Sequence, residues 1–142
     1  MGKSLIIPGA DFSANALEPI KKIGPFNGWA EIRAAGYAVY NNRISASGEI
    51  LPNTPENNYC DFECSGLTYI DSIGLNSSTN GSCWLDNEKQ FISTTVPAFY
   101  GHVNEIVRVT VPAGAEYFRY CYYSESYLEE HPTHEDAYIC GY

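Results

Sequence analysis

The residues best equipped for chemistry lie near the C-terminus, where His131-Pro132-Thr133-His134-Glu135-Asp136 brings imidazoles and carboxylates together with Cys140 close behind. Imidazole, carboxylate and thiolate are the usual ligands of transition metals, so a metal site is the chemistry this run would support. A strand-connecting loop rich in His, Pro and acids is ordinarily just exposed and polar. No metal is therefore assigned, and His131 and His134 stand as the candidates. Catalysis would need a nucleophile beside a base, paired carboxylates in an apolar setting, or a glycine loop that cradles phosphate. None occurs at a recognisable spacing. Asp61, Glu63 and Asp71 fall on or beside expected strands, where acids on a wet face are the default. The chain reads as non-enzymatic and without a cofactor.

Aromatic side chains offer a second kind of chemistry, because a flat apolar ring with a polar edge stacks well on a sugar. Trp84, Tyr100 and Trp29 form the candidate glycan-binding set, with the tyrosines between 117 and 123 beside them. The opposing consideration is that most rings in an aromatic-rich domain fill its core.

The elements that must position these groups read as strands. Tyr37 to Tyr40 and Arg43 to Ser47 flank Asn41-Asn42, a pair able to take positive φ, and so predict a hairpin. In Tyr59 to Cys64 the alternation puts Cys60, Phe62 and Cys64 on one face. Leu67 to Leu75 predicts another strand, followed by a polar loop from Asn76 to Gly81. Ser82 to Leu85 and Gln90 to Thr95 flank Asp86-Asn87-Glu88-Lys89, the strongest hairpin signal in the chain. Val96 to Asn104 reads as a loop. In Glu105 to Val111 the valines at 107, 109 and 111 face one way while Arg108 and Thr110 face a wet side. Ala115 to Ser124 is apolar on both faces and so belongs in the middle of its sheet. An acidic stretch from Glu125 to Asp136 precedes a closing strand at Ala137 to Gly141. Trp29 to Ala35 fits either a helix or a strand, and Ala14 to Phe26 carries no clear signal.

Short strands at this spacing describe an all-β jelly roll or β-sandwich. With 142 residues the chain can bury one core. Its division is residues 1–28, an N-terminal arm or first strand, and residues 29–142, the sandwich. A formal charge of −9 excludes phosphate-backbone binding as a main activity, because nucleic-acid affinity rests on Lys and Arg. No apolar run reaches the length of a membrane-spanning helix, and Ser4 to Ile7 is too short for an export-signal core. Neither nucleic acid nor membrane is expected as a partner. The five cysteines, Cys60, Cys64, Cys83, Cys121 and Cys140, are an odd set without close pairs, which points to reduced, buried thiols rather than a disulfide framework.

Leu5 to Ser13, followed by Phe26-Asn27-Gly28-Trp29, resembles the opening strand of carbohydrate-binding-module jelly rolls. More specifically, IIPGADFSANA at 6–16, WLDNEKQFIS at 84–93 and VPAGAEYFR at 111–119 are together similar to small jelly-roll domains in virion proteins of phages infecting gut Bacteroidales, crAss-like phages included. That resemblance implies a galactose-binding-like fold and a head or tail fibre or capsid-attached decoration subunit. The implied partners are further copies of the chain, other virion proteins and a host surface glycan. The implied location is the virion, after synthesis in the host bacterial cytoplasm. An alternative is a stand-alone carbohydrate-binding domain of a Bacteroidales bacterium. Leu5, Ile6, Ile7 and Phe12 are the candidate assembly residues, since an apolar arm can add a strand to a neighbouring subunit.

Overall fold

The computed structural model describes residues 4–6 and 20–142. The chain is mostly β, in two principal sheets. The larger has the order β1 (Ser4–Ile6), β9 (Glu105–Thr110), β6 (Tyr69–Ser72), β11 (Tyr138–Gly141), β2 (Ile23–Asn27). The smaller runs β5 (Asn57–Glu63), β10 (Tyr117–Tyr123), β7 (Cys83–Leu85), β8 (Phe91–Thr94). Pairing is antiparallel except where β1 runs parallel to β9. A two-stranded ribbon, β3 (Arg43–Ile44) with β4 (Ile50–Leu51), completes the β structure.

The core is a single cluster to which both sheets contribute: Phe62, Phe118 and Tyr120 from one, Ile70, Val107 and Ile139 from the other. β10 supplies its most distinctive part. It pairs with β5 along its whole length and with β7 over Tyr117 to Arg119, so it lies inside its sheet and both of its faces are occupied. Phe118, Tyr120 and Tyr122 alternate onto the core face and stack with centroids 6.1 and 6.2 Å apart. A buried phenol needs a partner for its hydroxyl, and both find one at or just before β11. Tyr138 N–H donates to the Tyr120 oxygen at 3.2 Å, and the Tyr122 hydroxyl donates to Glu135 O at 2.6 Å.

Two ion pairs stand on the faces turned away from the core. Arg119 is opposite Asp61 across β10 and β5 and grips it with two bonds of 2.7 and 2.8 Å. Lys89 adds a third contact to Asp61 at 3.1 Å. Arg108 is opposite Asp71 and holds it at 2.8 and 3.0 Å, with the guanidinium over the rings of Tyr142 and Tyr69.

The expected strands 59–64, 105–111, 115–124 and 137–141 are present within a residue or two, and Cys60, Phe62 and Cys64 are fully buried on one face. The 82–95 hairpin forms because Asp86 Oδ1 accepts from the backbone of Glu88 and Gln90, while Lys89 takes φ 60°. The strand within Leu67 to Leu75 is confined to β6.

Other expectations need correction. Tyr40 does not pair across Asn41-Asn42; it bridges to Tyr59, and β3 instead pairs with β4 through a turn that places Gly48 at φ 84°. Asn41 is diverted because its side-chain amide donates to Pro55 O, Asn57 O and Asn58 Oδ1. On the face expected to be wet, Thr110 is exposed but Arg108 is not: the Arg108 and Asp71 side chains are 10% and 4% exposed, since each neutralises the other. Trp29 to Ala35 resolves as a helix, α1 (Trp29–Ala34), which buries Trp29 and Ile32, positions i and i+3, on one side. The 96–104 loop contains a short helix, α2 (Val96–Phe99), and the acidic stretch opens with α3 (Glu125–Glu130).

The residue-28 boundary falls between β2 and α1, so residues 4–6 and 23–27 supply the two edge strands of the larger sheet. Pro25 in β2 suits such an edge, where a missing N–H donor breaks no ladder bond. β1 pairs with β9 of its own chain, which gives Leu5 and Ile6 an intrachain place. Ile7 and Phe12 lie outside the described residues.

All five cysteines are free and buried, and burial pushes the thiols of Cys60, Cys83 and Cys121 up to about 12 and Cys64 to about 11. Because the thiolate is the reactive form, native protein at pH 8 should leave a thiol-specific disulfide reagent unreacted, with all five thiols titrating in denaturant. Fast reaction of any one in the native state would contradict this packing. For Asp61, burial alone would raise the carboxyl, but hydrogen bonds and charge from Arg119, with help from Lys89, hold it below 3.8. A depressed folded value contributes stability that is complete above the unfolded pKa and lost as pH falls through the folded one. The urea midpoint should therefore hold from pH 7 to 5 and decline below about pH 4. Asp61→Asn should cost about 3 kcal/mol at pH 7 by leaving Arg119 without its counter-charge, and should flatten the acid decline.

Candidate functional site

Where β10 leaves its sheet, five segments that are distant in sequence converge on a cleft of about 180 Å³. β3 contributes Arg43, the start of β5 contributes Asn57 with Glu56 just before it, the segment after β6 contributes Leu75, Ser77 and Asn80, and Tyr123 and Tyr127 come from β10 and α3. A smaller cleft of about 140 Å³ adjoins it, sharing Glu56 and Tyr127 and reaching His131.

The wall is set by the start of α3. Ser124, buried, accepts from Tyr127 N–H at 3.5 Å as the N-cap and donates to Pro55 O at 2.8 Å, while its own N–H bonds Glu56 O at 2.9 Å. Glu125 in the first turn suits the helix's positive end. Burial would raise its carboxyl, but bonds from Arg33 and Asn58 hold it below the usual glutamate value. Helical spacing then sets Tyr127 and His131 ring on ring at 3.9 Å and 12°, and Tyr127 stacks on Tyr123 at 4.2 Å and 11°. Both faces of Tyr127 are thus occupied, and it offers the cleft its edge and hydroxyl. Trp29 Nε1 donates to Tyr123 O at 2.7 Å, which fixes the end of β10 from the core side. Burial pushes the Tyr123 hydroxyl up, keeping it a neutral donor, and that oxygen accepts from Asn76 N–H at 3.4 Å.

The polar groups are ordered against one another. Arg43 Nε donates to Asn57 Oδ1 at 3.1 Å, and Nη2 lies 3.5 Å from Glu56 Oε2. Asn80 Nδ2 donates to Ser77 Oγ and Thr79 Oγ1 at 3.3 and 3.1 Å, and among the described residues its Oδ1 has no donor.

Of the aromatics expected to bind glycan, the cleft lining takes Tyr123 but none of Trp84, Tyr100 and Trp29. Trp29 is fully buried and Trp84 is 4% exposed with its ring against Phe118, so neither presents a stacking face; both are core residues. Tyr100 is 52% exposed at the end of α2. His131 and His134 do come together, edge to face at 5.8 Å, but His131 Nδ1 is 2.8 Å from Tyr127 O and its ring is committed to the stack. Among the described residues no three His, Cys, Asp or Glu side chains gather as a metal would require. Among the described residues no helix is long and apolar enough to cross a membrane. Sequence reasoning missed Arg43, Asn57, Asn80 and Tyr127. Only Tyr127 carried a local signal, as the fourth residue before His131 behind a Ser cap. The chain matches no family model, no curated protein and no solved structure.

Replacing the cap tests how the wall is held. Ser124→Ala should cost about 1–2 kcal/mol, read as a lower urea midpoint with unchanged slope. It should also weaken the near-ultraviolet dichroism of the Tyr123–Tyr127 stack. An unaltered midpoint would show that the cap is not what seats α3.

Proposed function

We propose that the chain is a non-enzymatic jelly-roll subunit of a bacteriophage particle, with a galactose-binding-like fold. It serves as a head or tail fibre or a capsid-attached decoration subunit, works as a homo-oligomer among other virion proteins, and contacts a host surface glycan. Three stretches of sequence resemblance support this reading, two of which fall on the β7–β8 hairpin and on the turn into β10.

The observation that carries the assembly part is the edge of the smaller sheet. Among the described residues β8 pairs only with β7, and it has neither proline nor charge in Phe-Ile-Ser-Thr and leaves Phe91 and Ile92 43% and 36% exposed. Open apolar edges are templates for strand addition, which soluble chains normally blunt with charge or proline. The opposite edge, β5, is partly covered, because Tyr40 exchanges two backbone bonds with Tyr59 at 2.9 and 2.8 Å. The groups lining the end cleft suit holding rather than transforming a ligand, being amides, phenols and an Arg–Glu pair. The same cleft favours the alternative of a stand-alone carbohydrate-binding domain.

Light scattering behind size exclusion separates the two. The particle subunit should run as an oligomer that Ile92→Lys converts to a folded monomer, since a charge on the edge blocks pairing. A wild-type monomer at every concentration would remove the assembly claim.

A further inference from the structure

We infer that the end cleft, where Arg43, Asn57, Asn80 and Tyr127 converge, binds one ring of a neutral saccharide through its hydroxyls. This deepens the glycan-contacting part of the proposed function and rests on that part, but not on membership of a particle.

Asn57 is the decisive residue. It is only 3% exposed and lines the cleft. Its orientation is fixed because Oδ1 accepts from Arg43 Nε. The two donors on Nδ2 are unspent among the described residues, yet this nitrogen is not one of the atoms sealed away without a partner. Buried amides are almost always satisfied. One that opens on a cleft with its donors free is prepared for a partner from outside.

The surrounding groups define that partner. Arg43 adds donors beside Asn57, while Asn80 Oδ1 and the Glu56 carboxylate are acceptors. A hydroxyl donates and accepts through one oxygen, so adjacent hydroxyls satisfy alternating donors and acceptors in a way that a purely accepting anion or a purely donating ammonium does not. Charge leads to the same class. An anion would meet Glu56 on a chain of net charge −9, and a cation would meet Arg43. Flat aromatic ligands are disfavoured because Tyr127 has no open face, its neighbours being Tyr123 at 4.2 Å and His131 at 3.9 Å. Tyrosine edges and Leu75 remain as an apolar wall for ring C–H groups. At about 180 Å³ the cleft is smaller than a drug-sized site of roughly 300–1,000 Å³, which matches one sugar ring better than an extended oligomer.

Amide-resolved NMR of the full chain tests this with methyl glycosides of neutral hexoses and N-acetylhexosamines, and a methyl hexuronate as the charged control. At least one neutral glycoside should saturate with a Kd near or below about 1 mM, shifting the side-chain amides of Asn57 and Asn80, with the hexuronate at least about tenfold weaker. Asn57→Asp keeps the acceptor for Arg43 and removes the donors, so it should lower affinity at least about tenfold. Asn80→Ala should act in the same direction, and it decides the matter if the first variant does not fold. Failure of every neutral glycoside to saturate below about 10 mM, equal binding of the hexuronate, or wild-type affinity in the folded variants would overturn the inference. A monomer that still binds the glycoside supports the site and removes only the assembly reading.

Discussion

Everything in this domain is referred to one strand that has no free side. β10 pairs along its whole length with β5 and over Tyr117 to Arg119 with β7, Cys121 N–H is taken by Ser82 Oγ, and both faces are contacted, so its residues must satisfy neighbours on every side. The chain meets that demand with aromatic rings that keep a polar end. On the inner face Tyr120 and Tyr122 fill volume as phenylalanine would, and their hydroxyls also fix where β11 and its lead-in lie. A buried hydroxyl without a partner costs about 1–3 kcal/mol, so the two bonds act against any slippage between the sheets. On the outer face the polar residue is Arg119, which can be there because Asp61 sits at the directly opposed position of β5. Such a pair adds little net stability compared with apolar residues of the same size, but losing one member is expensive. It therefore pins the β5–β10 register more than it stabilises the fold.

This explains which parts of the structure are legible in the sequence. β10 is readable because apolar residues fill both of its alternations, and β5 because Cys60, Phe62 and Cys64 recur with period two. The β7–β8 hairpin is readable because its turn is built locally by Asp86 and Lys89. The failures occur where a side chain answers to a distant partner. Asn41-Asn42 has the composition of a tight turn, but Asn41 is claimed by Pro55, Asn57 and Asn58, and so the hairpin forms one turn later. Arg108 looks solvated until its cross-strand neighbour is known to be Asp71. Whether a ring lies in the core or on the surface is likewise tertiary information: Trp29 and Trp84 are interior, whereas Tyr40 and Tyr100 are about half exposed. The cleft is least legible of all, since Arg43, Asn57 and Asn80 come from separate polar segments and meet only because Asn57 begins the strand that pairs with β10.

Position in the sheet then separates two tasks. Asn57 belongs to β5 and Phe91 and Ile92 to β8, which are opposite edges of the same four-stranded sheet, three strand spacings or roughly 14 Å apart. A partner that adds to β8 therefore leaves the cleft open. This bears directly on the proposed affinity, because one sugar ring held by a few hydrogen bonds in a cleft of about 180 Å³ would bind weakly. In an oligomer built through β8, each subunit presents its own cleft, and binding of one raises the effective concentration of sugar at the next by orders of magnitude. A weak site on one subunit and an open apolar edge on the same subunit are each of little use alone. On the proposed reading, together they would make a multivalent surface that grips a polysaccharide firmly and still releases any single ring quickly.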